Sequence, residues 1–421
     1  MKHIVILGGG FGGLQAALAL SKKLKRNRLQ ENYSVVLADR NSFHTFTPLL
    51  YEIAVTSQET ASDLELQTIV SFPLQKLLAD TSVTLVQDHL VRVDLENKLV
   101  VLSKSKIEFV YLVIALGSEP YYYDIPGLDM YALPLKTFDD AIRIRDRIVS
   151  TFRSSRRNVR IVIGGGGPTG VELASEIRKW IPELKEECYN TCRAEITIVE
   201  ATTRILASFD ENVSQKAMLR LRKLGISILP HTRIARVDAK KTYFNDGKEK
   251  EYDILIWAGG VKANSAVDPI PLEKGMRGRI ETNEYAVPNS APHDFVFVIG
   301  DNAVLHHPVS GTPTPLMARP AILQGRIAAE NIMIKILANE CGGTTTEKKR
   351  RYLFRNYPYI IPLGGKYALA QIGTITFSGF VAWVFKGFTE LNYFLSIMPF
   401  FTALGVWLKG LNIFIRNDRL G

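Results

Sequence analysis

The feature that most narrows what this chain can fold into is a unit that occurs in it twice. Near the start, the apolar run His3 to Leu7 leads into Gly8-x-Gly10-x-x-Gly13 and an alanine- and leucine-rich helix, and a second apolar run, Ser34 to Ala38, stops on Asp39. From Asn158 the order returns: Val159 to Ile163, Gly165-x-Gly167-x-x-Gly170, a helix from Val171 to Lys179, and Ala194 to Val199 stopping on Glu200. Strand, glycine turn, helix, strand and acid in that order describe the nucleotide-binding half of a doubly wound sheet. The first glycine permits a tight turn, the second lets a pyrophosphate reach the backbone, and the third lets helix and strand approach closely. Gly12 completes the first loop, and Pro168 and Thr169 open the helix of the second. The first-turn amides of each helix face phosphates, and each acid accepts from ribose hydroxyls. Two dinucleotide sites are therefore expected in one chain.

Each unit has a downstream companion. The buried run from Phe109 through Ala115 to Gly117 is echoed by Tyr252 to Trp257 with its Ala258-Gly259-Gly260 turn. Phe295 to Ile299 ends in Gly300-Asp301 and precedes a helix from about Ala318 to Leu337. The expected fold class is α/β with two Rossmann-like dinucleotide-binding domains. The first is discontinuous, over 1–115 and 285–345, the second covers 116–284, and 346–421 is a C-terminal helical region. Val83 to Gln87, Leu90 to Leu95 and Lys98 to Leu102 are expected to form a β-meander inserted in the first domain.

The last region differs in composition. Leu391 to Leu408 carries no charge, but Pro399 interrupts it, so two shorter helices fit better than one membrane span. In the second of these, Thr402, Gly405, Lys409, Asn412, Arg416 and Arg419 recur at alternating spacings of three and four, a cationic stripe on an otherwise aromatic and aliphatic helix. That pattern describes a helix lying in a membrane interface. The formal net charge of +10 and the mean hydropathy of +0.04 agree with an anionic lipid partner, and no nucleic-acid motif accompanies the charge. The run Glu347 to Arg351 reads as a solvated boundary. The N-terminal apolar residues are needed as a strand, so no secretory signal is expected.

Two dinucleotides in one chain point to a tightly held flavin reduced by a diffusing nicotinamide, with FAD at the first loop and NADH at the second. Glu200 suits an unmodified ribose and would repel a 2′-phosphate, although Arg204, four residues on, could accept one. Asp301 is placed for the flavin's hydroxyl and pyrophosphate network or as a helix cap. His44, a few residues beyond Asp39 and Arg40, could touch the flavin or be a packed loop residue. Glu172 could border the nicotinamide or cap its helix. Cys188, Cys192 and Cys341 make no CxxC pair and no metal spacing, which points to a reducing compartment and away from a disulfide relay. An apolar C-terminal region without a thiol relay suggests a lipid-soluble acceptor, a quinone.

At GGGFGGL, FHTFTPLLYEIA (43–54), GGGPTGVELASE (165–176), VEATTRIL (199–206), WAGGVKAN (257–264), FVIGDNA and SGFVAW (378–383), the sequence resembles the type II, non-proton-pumping NADH:quinone oxidoreductases. The resemblance implies FAD at the first site and NADH at the second. It also implies quinone reduction on the opposite flavin face, Pro48 and Leu49 lining the flavin, Glu172 by the nicotinamide and Glu200 on the adenosine ribose. It further implies peripheral attachment to the cytoplasmic face of the cell or inner membrane through the C-terminal helices, usually as a homodimer. The family carries A-Q-x-x-x-Q after its Gly-Asp motif, with both glutamines bordering the quinone. Here the segment reads Met317-Ala-Arg-Pro-Ala-Ile-Leu-Gln324, so Gln324 matches and Pro320 stands where the other glutamine belongs. Glu172 and Gln324 are thus the candidate catalytic residues. The acceptor stays open between menaquinone, ubiquinone and a biosynthetic naphthoquinone, or, in a soluble NAD(P)H-dependent reductase, a different acceptor.

Overall fold

Each repeated unit becomes the centre of a parallel sheet. The computed structural model describes residues 1–155, 158–187, 193–290, 294–340, 348–354 and 357–417. Cys188, Cys192, Cys341, Glu347 and Arg419 lie outside the described residues. The described chain forms two compact units: Met1–His44, Phe72–Glu119 and Val261–Asn356 make the first, and Thr45–Ser71, Pro120–Gly260 and Tyr357–Gly421 the second.

In the first unit five parallel strands stand in the order Val296–Val298, Tyr111–Ile114, Lys2–Leu7, Tyr33–Asp39, Val83–Gln87. β-Branched and leucine side chains on both faces make the inner strands almost fully buried, as a two-sided parallel sheet requires. One face packs on Val93, Val100, Leu102, Ile270 and Ile280. The helices Phe11–Arg26 and Ala318–Glu340 cross at glycines. A Cβ on Gly325 would lie 2.3 Å from the Gly12 carbonyl oxygen, and one on Gly12 would lie 3.1 Å from that of Ala321. Gly12 therefore serves helix packing.

The expected meander is corrected in part. Val83–Gln87 joins the parallel sheet in register with Val35 to Asp39, and the antiparallel ribbon is Leu90–Asp94, Leu99–Leu102 and Lys106–Glu108. Thr81 and Ser82 explain the placement: Ser82 bonds to Ser21 of the first helix at 3.0 Å, which brings the next residues alongside the sheet edge. The described residues of the basic run, Lys348 to Arg351, are exposed, as a solvated boundary requires; Arg350 donates its N–H to Asn331 Oδ1 at 2.7 Å, and Arg351 Nε donates to the Tyr285 hydroxyl at 3.1 Å.

In the second unit the parallel order is Leu133–Pro134, Ile254–Trp257, Val159–Gly164, Ala194–Val199, Ser227–Leu229. Helix Phe138–Ser154 opens with a capping box between Thr137 and Asp140. The glycine-loop helix is longer than expected, Pro168–Glu187, and continues through Pro182. After the antiparallel sheet Tyr359–Pro362, Ala368–Ile372, Ile375–Gly379, the C-terminal residues form two helices, Phe380–Ile397 and Phe400–Asn417, divided at Pro399. Among the described residues no helix is long and apolar enough to cross a membrane.

The segment Thr45–Ser71, with short helices Leu50–Ile53 and Asp63–Val70, belongs to the second unit although its chain neighbours belong to the first. Named contacts hold it there. Asp63 pairs at 2.6 Å with Arg145, a fully buried guanidinium on Phe138–Ser154, Phe46 stacks on Tyr393 at 5.1 Å, and Lys409 donates to Thr68 at 2.9 Å.

Candidate functional site

The first glycine loop is built as its sequence requires. Gly8 has φ +105°, and a Cβ there would sit 2.3 Å from the Ala115 carbonyl oxygen; on Gly13 it would sit 1.8 Å from that of Gly8. A Cβ on Gly10 would meet nothing within 4 Å, so the second glycine borders open space at an N-terminus with no side-chain cap. Asp39 shapes the loop: Oδ2 accepts from Gly9 N at 2.6 Å and Oδ1 from Asn41 N at 2.7 Å. Arg40 beside it is exposed. His44 does not project into solvent; it is 1% exposed, and its Nδ1 lies 2.9 Å from the Gly9 carbonyl oxygen. Burial lowers its pKa to about 4, against the backbone bond that raises it, so the ring is neutral.

The Gly300-Asp301 turn, with Gly300 at φ +66°, is held from several sides. Ser118 Oγ donates to Asp301 Oδ2 at 2.5 Å. Asn302 clasps Gly117, accepting from its N–H at 2.9 Å and donating to its carbonyl at 2.7 Å. Gln324 is 3% exposed and its Oε1 accepts from Gly300 N at 2.7 Å, so this side chain supports the turn; Pro320 is buried one helical turn earlier. Sequence reasoning missed Arg279. It is 6% exposed, donates to the Ala303 carbonyl at 2.5 Å, and its pKa is lowered by burial, with Asp301 opposing. One arginine in the basic stretch Lys274 to Arg279 gives no signal of this.

The second loop repeats the first. Gly165 has φ +109° and a Cβ there would lie 2.4 Å from the Ala258 carbonyl oxygen; on Gly170 it would lie 2.1 Å from that of Gly165; on Gly167 it would meet nothing within 4 Å. Glu200 Oε2 accepts from Gly166 N at 2.6 Å, and Oε1 accepts from Thr202 N and Oγ1, each at 2.7 Å. Arg204 donates to the carbonyls of Ala207 and Phe209 at 3.3 and 2.9 Å, and its Nη1 is buried. Both of these bonds are made by Nη2, whereas the buried Nη1 has no hydrogen-bond partner among the described residues. Gly259 lies against Trp257, whose ring would be 2.3 Å from an added Cβ. Thr169 is exposed and Pro168 half-buried at the helix start.

A charge cluster in the second unit joins an i,i+4 pair on one helix to an acid far away in the sequence. Lys386, on Phe380–Ile397, bonds to Glu52 Oε1 and pairs with Glu390 Oε1 at 2.9 Å; Tyr51 also donates to Glu52 Oε1, at 2.7 Å. The side chains of Lys386, Glu52 and Glu390 are 14%, 4% and 13% exposed. Burial works against the ammonium charge, but Glu390 and Glu52 outweigh it, so the lysine pKa is raised. Glu172, just past the first turn of Pro168–Glu187, keeps an exposed edge yet is mostly desolvated. Desolvation raises its carboxyl to about 8, with Lys386 opposing and Glu52 reinforcing the shift. At neutral pH it is a carboxylic acid. Pro48 and Leu49 lie on the short turn Thr47–Leu49, Pro48 exposed and Leu49 buried.

The family model of the pyridine nucleotide-disulphide oxidoreductases matches residues 2–325. The chain belongs to that family. Among its relatives is the type II NADH:quinone oxidoreductase Ndh of Mycobacterium tuberculosis, 25% identical, with 96% of this chain and 87% of the relative covered. The type II NADH:quinone oxidoreductase of Haemophilus influenzae is 28% identical over 79% of this chain and 80% of its own length. The demethylphylloquinone reductase NdbB of Synechocystis is 28% identical over 78% of each. Among solved structures, NDH2 of Plasmodium falciparum in complex with NADH has the same fold, with TM-score 0.81, 17% identity and 99% of both chains covered.

Proposed function

We propose that this chain is an FAD-dependent oxidoreductase that passes electrons from NADH to a membrane quinone without pumping protons. The observation that carries the reading is the paired construction of the two glycine loops. Each has enclosed first and third glycines, an open second glycine and an acid bonded to the loop, which fits two dinucleotides. The named relatives supply the quinone. FAD, when bound, supplies the two-electron chemistry that joins nicotinamide oxidation to quinone reduction.

The chain's residues then have definable tasks. The open side of Gly10 and the uncapped helix behind it receive the pyrophosphate of FAD, with Gly8, Gly13 and Ala115 fixing the turn, and Asp39 stands at the ribose end. Gly117, Gly300 and Asp301 form the second support for FAD. Gly165, Gly167 and Gly170 do for NADH what the first three glycines do for FAD. Glu200 reads the adenosine ribose, and its carboxylate beside the loop would repel a 2′-phosphate, which favours NADH over NADPH. Glu172 holds a proton at its carboxyl at neutral pH, so a neutral group and not a carboxylate borders the anionic NADH. Gln324 contributes to the acceptor side by fixing Gly300.

Lipid attachment is assigned to the C-terminal helices. Phe380, Val381 and Phe400 are each 58% exposed, and Phe401 85%. Such an apolar surface beside Lys409 and Arg416 suits peripheral attachment. Homodimerisation, the cytoplasmic face and a place in a respiratory chain belong to the same reading, on family resemblance. The Synechocystis relative favours a second acceptor, a naphthoquinone intermediate. Purified protein reconstituted with FAD should oxidise NADH with a quinone analogue, partition with vesicles and favour NADH over NADPH. NADH oxidation that responds to no quinone would overturn the assignment.

A further inference from the structure

Gly9 lies between Gly8, at φ +105°, and the open Gly10, and its two backbone polar groups are held by the last residue of the second strand and by a residue beyond it. Its N–H donates to Asp39. Its carbonyl faces His44 Nδ1 at 2.9 Å. A carbonyl can only accept, so Nδ1 carries the hydrogen and the imidazole is the donor. The ring is enclosed, 1% exposed, with Phe11 of the first helical turn edge-on at 5.1 Å.

The second unit holds the corresponding residue in the same two ways with different chemistry. Gly166 N–H donates to Glu200 at 2.6 Å, and the Gly166 carbonyl accepts from the backbone N–H of Leu206 at 2.8 Å. Leu206 adopts φ +52° to present that amide. An imidazole in one unit thus does what a strained backbone amide does in the other. Fixing a carbonyl fixes the peptide plane that follows it, and in both loops that plane carries the N–H of the open glycine.

We propose that His44 is a positioning residue of the first nucleotide site, which aims the Gly10 amide at the pyrophosphate of FAD by donating from Nδ1 to the Gly9 carbonyl. It acts through the loop and not by touching the flavin. The inference rests on the assignment of FAD to the first loop. The neutral ring with its hydrogen on Nδ1 and the imidazolium both donate to that carbonyl, so the contact does not depend on pH.

The test uses the full chain stripped of flavin and titrated with FAD, following flavin fluorescence, for wild type, His44→Asn, His44→Gln and His44→Leu. An asparagine amide reaches the position of Nδ1, whereas a glutamine amide reaches that of Nε2. His44→Leu and His44→Gln should weaken FAD binding about tenfold or more, as losing a buried bond to an oriented carbonyl implies. His44→Asn should stay within about threefold of wild type, and NADH affinity should be unchanged in all variants. Equal FAD affinity in His44→Leu and wild type overturns the proposal, as does equal loss in the asparagine and glutamine variants. A fall in melting temperature of the flavin-free protein as large as that of the loaded protein also overturns it, reducing His44 to packing. Wild-type protein that binds no FAD overturns the cofactor assignment, and the role of His44 with it.

Discussion

Gln15 and Glu172 occupy the same place in the two repeats, two residues beyond the third glycine, and they differ by one functional group. Gln15 is buried and accepts from Arg326 Nε at 3.1 Å, a neutral amide that ties the first glycine helix to Ala318–Glu340. Glu172 faces Glu52 and Lys386 and carries a proton at neutral pH. One loop design therefore serves two purposes. The first helix is tied by a neutral amide to its neighbour, whereas the second carries a titratable acid near its start, on the side proposed for the diffusing nucleotide.

The largest effects should separate the two sites. Gly13→Val forces a side chain into the Gly8 carbonyl and should abolish FAD retention, read as flavin content after purification. Gly170→Val should leave FAD bound and abolish NADH-dependent bleaching of the flavin. If either variant loses both ligands while still folded, the sites are not separable and the comparison fails.

Lys386→Met tests the cluster found only in the second unit. It strands Glu52 and Glu390 without their cation and should cost roughly 3–5 kcal/mol of stability in denaturant titration. A loss below about 1 kcal/mol would mean that solvent already screens the cluster.

Glu172→Gln makes the second repeat resemble the first. Its carboxyl is protonated below about 8 and loses the proton as pH rises through that value, so the affinity for anionic NADH should fall above pH 8, where a carboxylate replaces the neutral acid. The variant, a permanently neutral amide, should bind NADH like wild type below pH 8 and should lack that fall. An unchanged pH profile would assign the proton to another group.

Glu200→Gln is the mildest change. It should weaken NADH about tenfold, as loss of charged hydrogen bonds to a ribose implies, and narrow the preference over NADPH. Unaltered NADH affinity would remove Glu200 from the site.

Both loops were legible because a glycine turn, a strand and a terminal acid act within short stretches of chain, and the observed geometry of Gly8, Gly10 and Gly13 follows from their spacing. The division at Pro399 was legible for the same local reason. The cluster was not, since Glu52 and Lys386 are 334 residues apart and each looks like an ordinary surface charge. His44 was noticed without its partner, because a bond to the Gly9 carbonyl depends on how the chain returns after Asp39. The resemblance implied a quinone contact for Gln324; that its amide oxygen also holds Gly300 N depends on a residue 24 positions away, which spacing along one helix does not give. Val83–Gln87 resembled its meander neighbours in composition, and its place on the parallel sheet rests on the ladder with Val35 to Asp39 and the bonds of Ser82 to Ser21, all long-range.

The measurement that bears most directly on the two-site account is an anaerobic stopped-flow experiment on the FAD-loaded chain, reading flavin absorbance. NADH should bleach the flavin, and a subsequent quinone panel, including ubiquinone, menaquinone and naphthoquinone analogues, should restore it with at least one member at a rate that matches steady-state turnover. Flavin that NADH leaves oxidised, or that stays bleached with every quinone, would contradict the account.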